Sequence, residues 1–330
     1  MKKFLSLMLA SLMMVSVLAG CGDSSADGES AAPAAGGELT FTTGSSSGTY
    51  YAYGTLLAGQ ASKGGKVNVT AVEGKGSKGN IVLMDMGDAQ MGFVQSDVMS
   101  YAYTGTNTFA DEGKIDSFST VAALYQEQVQ IVTCDPTIKT VADLKGKIVS
   151  VGEGGSGVYF NAVDVLGAYG LDIEKDVTPK YLGFGESADA LKDGKIDAAF
   201  VTAGIPTVAV TELSTAKDTF LVSLDEEHAD ALIAKSPYYT KTVITGDTYD
   251  MPEDTTTVSV GAVVVARDDV ADDDVYNFLS EIFAGKDELA ANHPKGKDLD
   301  LEHAASVTSV PYHTGAAKFF TENGLTVPVK

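Results

Sequence analysis

Basic side chains are scarce in this chain, and arginine is nearly missing. Arg267 is the only one, and Lys plus Arg number 23 against 45 Asp plus Glu. The net charge of −22 repels polyanions, so nucleic-acid binding, which depends on neutralising phosphates, is excluded. It equally disfavours polybasic docking onto anionic lipid. A lone arginine followed by Asp268 and Asp269 leaves no guanidinium fork to clamp a ligand carboxylate. An anion would instead be held by backbone N–H groups, hydroxyls, and Lys75 or Lys78. Only two cysteines occur, Cys21 and Cys134, which excludes a disulfide framework. Cys134 ends an apolar run, residues 129–134, and reads as a buried, inert thiol. The histidines are His228, His293, His303 and His313, with no His-Glu-x-x-His pattern, and no Gly-x-Ser-x-Gly elbow occurs. Nothing therefore points to a zinc site or a hydrolase, and no cofactor is expected.

What is present begins with an address. Lys2 and Lys3 precede an apolar run over residues 4–18, and Leu18-Ala19-Gly20-Cys21 closes it. The run is shorter than the roughly 20 apolar residues that span a bilayer and matches a secretion signal instead. We expect cleavage before Cys21 and a lipid on its thiol, tethering the exported chain to the outer face of the cytoplasmic membrane. Cleavage removes two lysines and no acids, taking the charge from −22 to −24. Residues 22–37 are small, polar and acidic, a composition suited to a flexible tether.

Two segments further on echo each other. Thr43-Gly44-Ser45-Ser46-Ser47-Gly48-Thr49-Tyr50-Tyr51 and Gly152-Glu153-Gly154-Gly155-Ser156-Gly157-Val158-Tyr159-Phe160 each join a strand to an amphipathic stretch. Downstream, residues 87–94 resemble residues 194–201, and strands are expected at 67–72 and 177–182. The unit is β-α-β-α-β, twice, which implies two α/β lobes with mainly parallel sheets. Further strands are expected at 119–125, 129–133 and 257–266, and helices at 275–283 and 313–320. A chain crossing between lobes near 130 and returning near 250–255 gives lobe I as 38–130 plus 250–330, and lobe II as 131–249.

In open α/β sheets, ligands bind beyond the carboxyl ends of strands, where both glycine/serine loops lie. Each loop offers N–H groups at a helix start, and two facing loops make an anion trap. Ser45, Ser46, Ser47, Thr49 and Ser156 add hydroxyls, and Tyr50, Tyr51, Tyr125 and Tyr159 are candidate walls. Further helix starts follow Gly76-Ser77 and Gly185-Glu186-Ser187, and others follow residues 93–97 and 200–204. Gly152-x-Gly154-x-x-Gly157 fits the dinucleotide fingerprint, but its echo at 44–48 does not, and no acidic residue closes a second strand. Binding without chemistry is the reading that the residues favour.

With these motifs in order, the chain resembles the TAXI solute receptors of TRAP transporters. The carrying residues are the loop at 43–51, Gly76-Ser77-x-x-Asn80, Val94-Gln95-Ser96-Asp97, Asp143-Leu144-Lys145-Gly146-Lys147 and the loop at 151–157. Gly194-x-Ile196-Asp197-Ala198, Gly204-x-Pro206, His293-Pro294 and residues 311–316 continue the match, which runs from residue 38 onward. The resemblance implies a two-lobed periplasmic-binding-protein fold (type II, venus-flytrap) with hinge strands. It further implies capture of a small carboxylate, glutamate-like or another organic acid, for delivery to TRAP permease subunits. The binding residues it implies are Ser45, Ser46, Ser47, Thr49 and Tyr50, then Ser77 and Asn80, then Gln95, Ser96 and Asp97. On the other lobe it implies Ser156, Gly157, Val158, Thr202, Gly204 and Pro206. Alanine at Ser77 or Asn80 is expected to weaken binding and leave folding intact. Lys75 and Lys78 depart from the smaller or acidic residues commoner there, which puts the ligand's charge in question. A receptor for an ABC importer, an extracellular sensor subunit and a secreted enzyme are the alternatives.

Overall fold

The computed structural model describes residues 37–330. The expected signal peptide, Cys21 and the expected tether up to residue 36 lie outside the described residues. No described helix is long and apolar enough to cross a membrane.

The first repeat runs β1 (Glu38–Thr42), α1 (Thr49–Ser62), β2 (Asn68–Val72), α2 (Ser77–Asp85), β3 (Met91–Gln95) and α3 (Ser96–Thr104). A single strand, β4 (Phe118–Thr133), then leads to the second repeat. That repeat is β5 (Ile148–Ser150), α4 (Val158–Ala168), β6 (Thr178–Lys180), α5 (Phe184–Lys192), β7 (Ala198–Ala203) and α6 (Val208–Ala216). After β8 (Phe220–Leu221), α7 (Glu226–Lys235) and β9 (Thr240–Ile244), β10 (Thr255–Arg267) returns the chain. It ends in helices α8 (Asp272–Ala284), α9 (Lys286–Asn292), α10 (Leu301–Ala304) and α11 (Thr314–Glu322).

The two repeats share one topology. β1 pairs in parallel with β2 and β3, and β5 pairs in parallel with β6 and β7. Gly87 and Gly194 occupy matching turns before β3 and β7, both at positive φ, 87° and 68°, where a Cβ is strained. The echoed glycine is thus a shared helix exit.

β4 and β10 join the halves. They pair antiparallel from Phe118↔Arg267 to Gln128↔Ser259. β3 docks on the Ala262–Ala266 end of β10, and β7 docks on the Gln128–Thr133 end of β4. The strands expected at 119–125 and 129–133 are therefore one strand of 16 residues. Burial on both faces explains the near-continuous apolar run of β10.

Three hydrophobic clusters follow from this layout. One surrounds β1, β3, α1, α8 and α11 and ends at Tyr125 and Ala262. The others cover opposite faces of the sheet around the second repeat, one holding Val129, Ile131 and Val260, the other Val132, Ala199 and Val201. Alternation of Ile131 and Val132 between clusters is the two-residue period of a strand. The core changes over between Tyr125 and Val129 and between Val260 and Ala262.

Candidate ligand-binding site

The loops after β1 and β5 face each other across the gap between the repeats. Between them is a cavity of about 50 Å³ open to the centre of a water molecule. At some 10–15 Å³ per water centre, that space suits a small solute and no polymer.

Three helices point their N-termini at it. Gly48-Thr49 opens α1, Gly76-Ser77 opens α2 and Gly157-Val158 opens α4, and all six residues line the cavity. None of the three ends is capped by a side chain. First-turn N–H groups have no partner inside their helix, so these ends present donors and a positive partial charge. Two glycines lie where the halves meet closely. A Cβ on Gly157 would lie 1.6 Å from Gln95 Oε1, and Gly76 sits at φ 80° with its Cβ position 3.3 Å from Ser156. Among the described residues, Gln95 Oε1, Ser156 Oγ and Thr202 Oγ1 are buried at the cavity without a hydrogen-bond partner.

The floor is different in character. Glu127, at the middle of β4 opposite Val260, is 2% exposed, and its Oε2 accepts the Tyr50 hydroxyl at 2.6 Å. Burial pushes its carboxyl up to about 8, with Asp97 adding to the shift and the Tyr50 bond and Lys295 opposing it. Tyr50 stacks on Phe93 with ring centroids 4.6 Å apart, and its own hydroxyl is shifted upward, chiefly by burial.

Direct bonds hold the two repeats closed. Thr49 Oγ1 donates to the Gly204 carbonyl at 2.8 Å, and the Gly79 N–H donates to the Gly155 carbonyl at 2.9 Å. The Ala209 N–H reaches the Ser47 carbonyl at 3.2 Å. Lys75 pairs with Glu153 at 2.9 Å over the mouth. Beside the cavity, Gln95 Nε2 donates to Asn161 Oδ1 at 3.0 Å, and Asn161 Nδ2 donates to Asp97 at 3.2 Å and to the Tyr239 hydroxyl at 2.9 Å.

Residues 41–324 match the sequence profile of the NMT1-like family. The chain belongs to the NMT1-like family. Among solved structures it is similar to MatC from Rhodopseudomonas palustris with bound malate, at 13% identity and TM-score 0.54 over 79% of this chain and 88% of that one. It is also similar to the aliphatic sulphonate binding protein SsuA from Escherichia coli, at 16% identity and TM-score 0.46 over 87% and 90%. A third is the alkanesulfonate-binding SsuA from Xanthomonas axonopodis pv. citri bound to MOPS, at 16% identity and TM-score 0.48 over 89% and 92%. The fold of this NMT1-like chain is the two-lobed type II periplasmic-binding-protein fold.

Of the residues named from sequence, Ser45, Thr49, Tyr50, Ser77, Gln95, Ser156, Gly157, Val158 and Thr202 line the cavity. The others do not. Ser46 is exposed, with its N–H on Glu73, while the Ser47 hydroxyl bonds Ser45. Ser96 turns its hydroxyl to the Gly261 N–H, and Asp97 lies buried beside Asn161. Gly204 offers only its carbonyl to Thr49, and Pro206 is exposed. Asn80 is a strut: its amide bonds the Thr42 hydroxyl and the Thr43 and Phe93 carbonyls, tying β1 to β3. Its removal is therefore expected to cost stability as well, because buried carbonyls would lose their donor.

Lys78 bonds Glu112 and the Thr108 carbonyl, so of the two candidate lysines only Lys75 borders the cavity. Tyr51 and Tyr159 stay outside it, and Tyr125 packs behind Phe93 at 6.1 Å. Cys134 is half-buried beside Thr219, with its thiol shifted upward by burial. Arg267 is bound to Asp269, as its acidic surroundings suggested.

Glu127, Asn161 and Phe184 were missed. Gln126-Glu127-Gln128 interrupts apolar residues and looks like a break between two strands. It is instead part of one continuous strand, of which Glu127 lines the cavity, and the polar interruption was the available signal.

Proposed function

We propose that this NMT1-like chain is a lipid-anchored extracytoplasmic receptor that closes its lobes around a small carboxylate and presents it to a TRAP-type membrane transporter. The observation that carries the reading is the convergence of three uncapped helix N-termini on one interlobe cavity, with unpartnered hydroxyls among its walls. Such ends bind anions through N–H groups without any guanidinium, which matches a chain with one arginine. The anchor is Cys21, and the polar tether keeps the receptor within reach of its permease. Nothing in the cavity resembles a nucleophile paired with a base, so retention without conversion is the expected outcome.

The test is mass spectrometry of the small molecule that co-purifies with the natively folded protein, followed by calorimetry with that compound. Ser77 lines the cavity and receives the Gln95 N–H at 3.0 Å. Ser77→Ala should weaken binding about 5- to 30-fold, the effect of losing one or two hydrogen bonds. A co-purified solute without an acidic group would overturn the carboxylate assignment.

A further inference from the structure

One lobe carries a carboxyl that the other lobe seals. Asp97 lies in the first turn of α3 and is fully buried. Its cover comes from across the gap. Asn161 on α4 donates one amide hydrogen to Asp97 Oδ2 at 3.2 Å and the other to the Tyr239 hydroxyl at 2.9 Å, while its Oδ1 accepts Gln95 Nε2 at 3.0 Å. That amide has no hydrogen left to give, and among the described residues Asp97 Oδ1 has no partner. One turn along α3, Ser100 meets the Tyr238 hydroxyl at 2.6 Å, so the contact between helix and facing lobe continues past Asp97.

The groups around this carboxyl bring it no cation. Asp164 on α4 and Glu127 on β4 are acids themselves. Asp164 takes the Tyr239 hydroxyl at 3.0 Å, and it is Asp164 that the exposed Lys235, at the end of α7, acts on. Tyr101, on the same helix as Asp97, and Tyr239 are neutral phenols. A buried anion facing acids and one neutral amide is costly, and a carboxyl so placed keeps its proton. Burial above all, with Asp164 adding to it, lifts Asp97 from 3.8 to about 7 against the pull of backbone N–H groups and Asn161. With the lobes apart, Asn161, Tyr239 and Asp164 leave. The same carboxyl then meets water at a helix N-terminus, where the anion is favoured.

We propose that closure of this receptor is coupled to proton uptake by Asp97, so that acid favours the closed form and base the open one. The device acts on closure itself. It applies to whatever solute fills the cavity, and it stands or falls separately from the carboxylate reading. The sign follows from the closed-state carboxyl lying above the open-state one. Stabilisation of the closed form is complete below about 4 and is lost as pH rises to about 7. One proton linked in this way should lower the closed-to-open ratio about 30-fold between about pH 5.5 and about pH 8.

The experiment is solution scattering from the ligand-free protein across that range, in about 0.3 M salt to screen the chain's net negative charge. Wild type should expand as pH rises. Asp97→Asn, which mimics the protonated carboxyl, should stay compact throughout. Asp164→Asn removes the acid that faces Asp97, so it should keep the expansion but move its midpoint to lower pH. A wild-type radius of gyration that does not change with pH overturns the proposal. So does an expansion that persists undiminished in Asp97→Asn, which would assign it to another group. Should Asp97→Asn fail to fold, judged by its melting curve, the wild-type expansion and the direction of the Asp164→Asn shift decide together.

Discussion

Side chains around the cavity divide into those that can meet a ligand and those that hold the first group in place. Asn80 belongs to the second group, since all its polar contacts go to β1 and β3. Asn80→Ala should destabilise the protein by about 2–3 kcal/mol, because buried carbonyls and a hydroxyl are left unpaired. A denaturation midpoint that does not move would show that the strut is dispensable. Asp97 makes a second prediction. It is fully buried, its Oδ1 has no partner, and burial lifts its carboxyl from 3.8 to about 7, with Asp164 adding to the shift and backbone N–H groups and Asn161 opposing it. Tyr101 and Tyr239 face it as well, both shifted upward by burial and by its charge. The folded protein therefore keeps a proton that the unfolded chain releases. Stability is highest below the unfolded value and falls as pH rises from about 4 to about 7. Glu127 extends the same slope to about 8. Melting temperature should drop between about pH 5 and pH 8, and Asp97→Asn should flatten the drop.

At the scale of elements, the site is made where loops after equivalent strands meet two continuous hinge strands. Gly157 marks the tightest meeting, since a Cβ there would overlap Gln95 Oε1 at 1.6 Å. Gly157→Ala should hinder closure, since Gln95 would have to give way, while leaving each lobe's core packed. Ligand affinity should fall more than about tenfold, more than about 1.4 kcal/mol, with little change in melting temperature. A large loss of melting temperature with retained affinity would place the strain inside a lobe instead. The echo was legible because glycine and serine must recur wherever a strand hands its chain to a helix at a cleft. Both loops, the parallel pairings and the helix starts at Thr49, Ser77 and Val158 could be read from it. Glu127 could not be read in the same way. Its polar neighbours Gln126 and Gln128 imitate a loop, and only the antiparallel pairing with β10 reveals a strand passing through. The same limit explains Asn80, Ser96 and Asp97, which sit in the right motifs. Whether a side chain turns to the cavity or to its own backbone depends on contacts distant in sequence, such as Ser96 with Gly261.

For the molecule as a whole, closure draws on contacts that need no ligand. Thr49 with Gly204, Gly79 with Gly155, Gln95 with Asn161 and Asn161 with Asp97 join the lobes directly. A ligand shifts the balance between open and closed only by what it adds to the closed side. The direct contacts therefore set how much ligand energy appears as affinity. Asn161 is the contact to test, because it serves two lobe I residues at once and lies outside the cavity lining. In an open protein, water replaces its partners, whereas in the closed protein Asn161→Ala leaves Gln95 Nε2 and a buried Asp97 oxygen unmatched. The variant should therefore penalise closure selectively. The apparent affinity for any solute that needs both lobes should fall about 5- to 30-fold, the effect of one or two kcal/mol. The radius of gyration from solution scattering should rise for the ligand-free variant relative to wild type and return at saturating solute. If the variant loses affinity but scatters like wild type in both states, Asn161 acts on the ligand pose and not on the hinge. A common factor for tight and weak solutes would assign the loss to closure, since a term in the open–closed balance multiplies every dissociation constant alike.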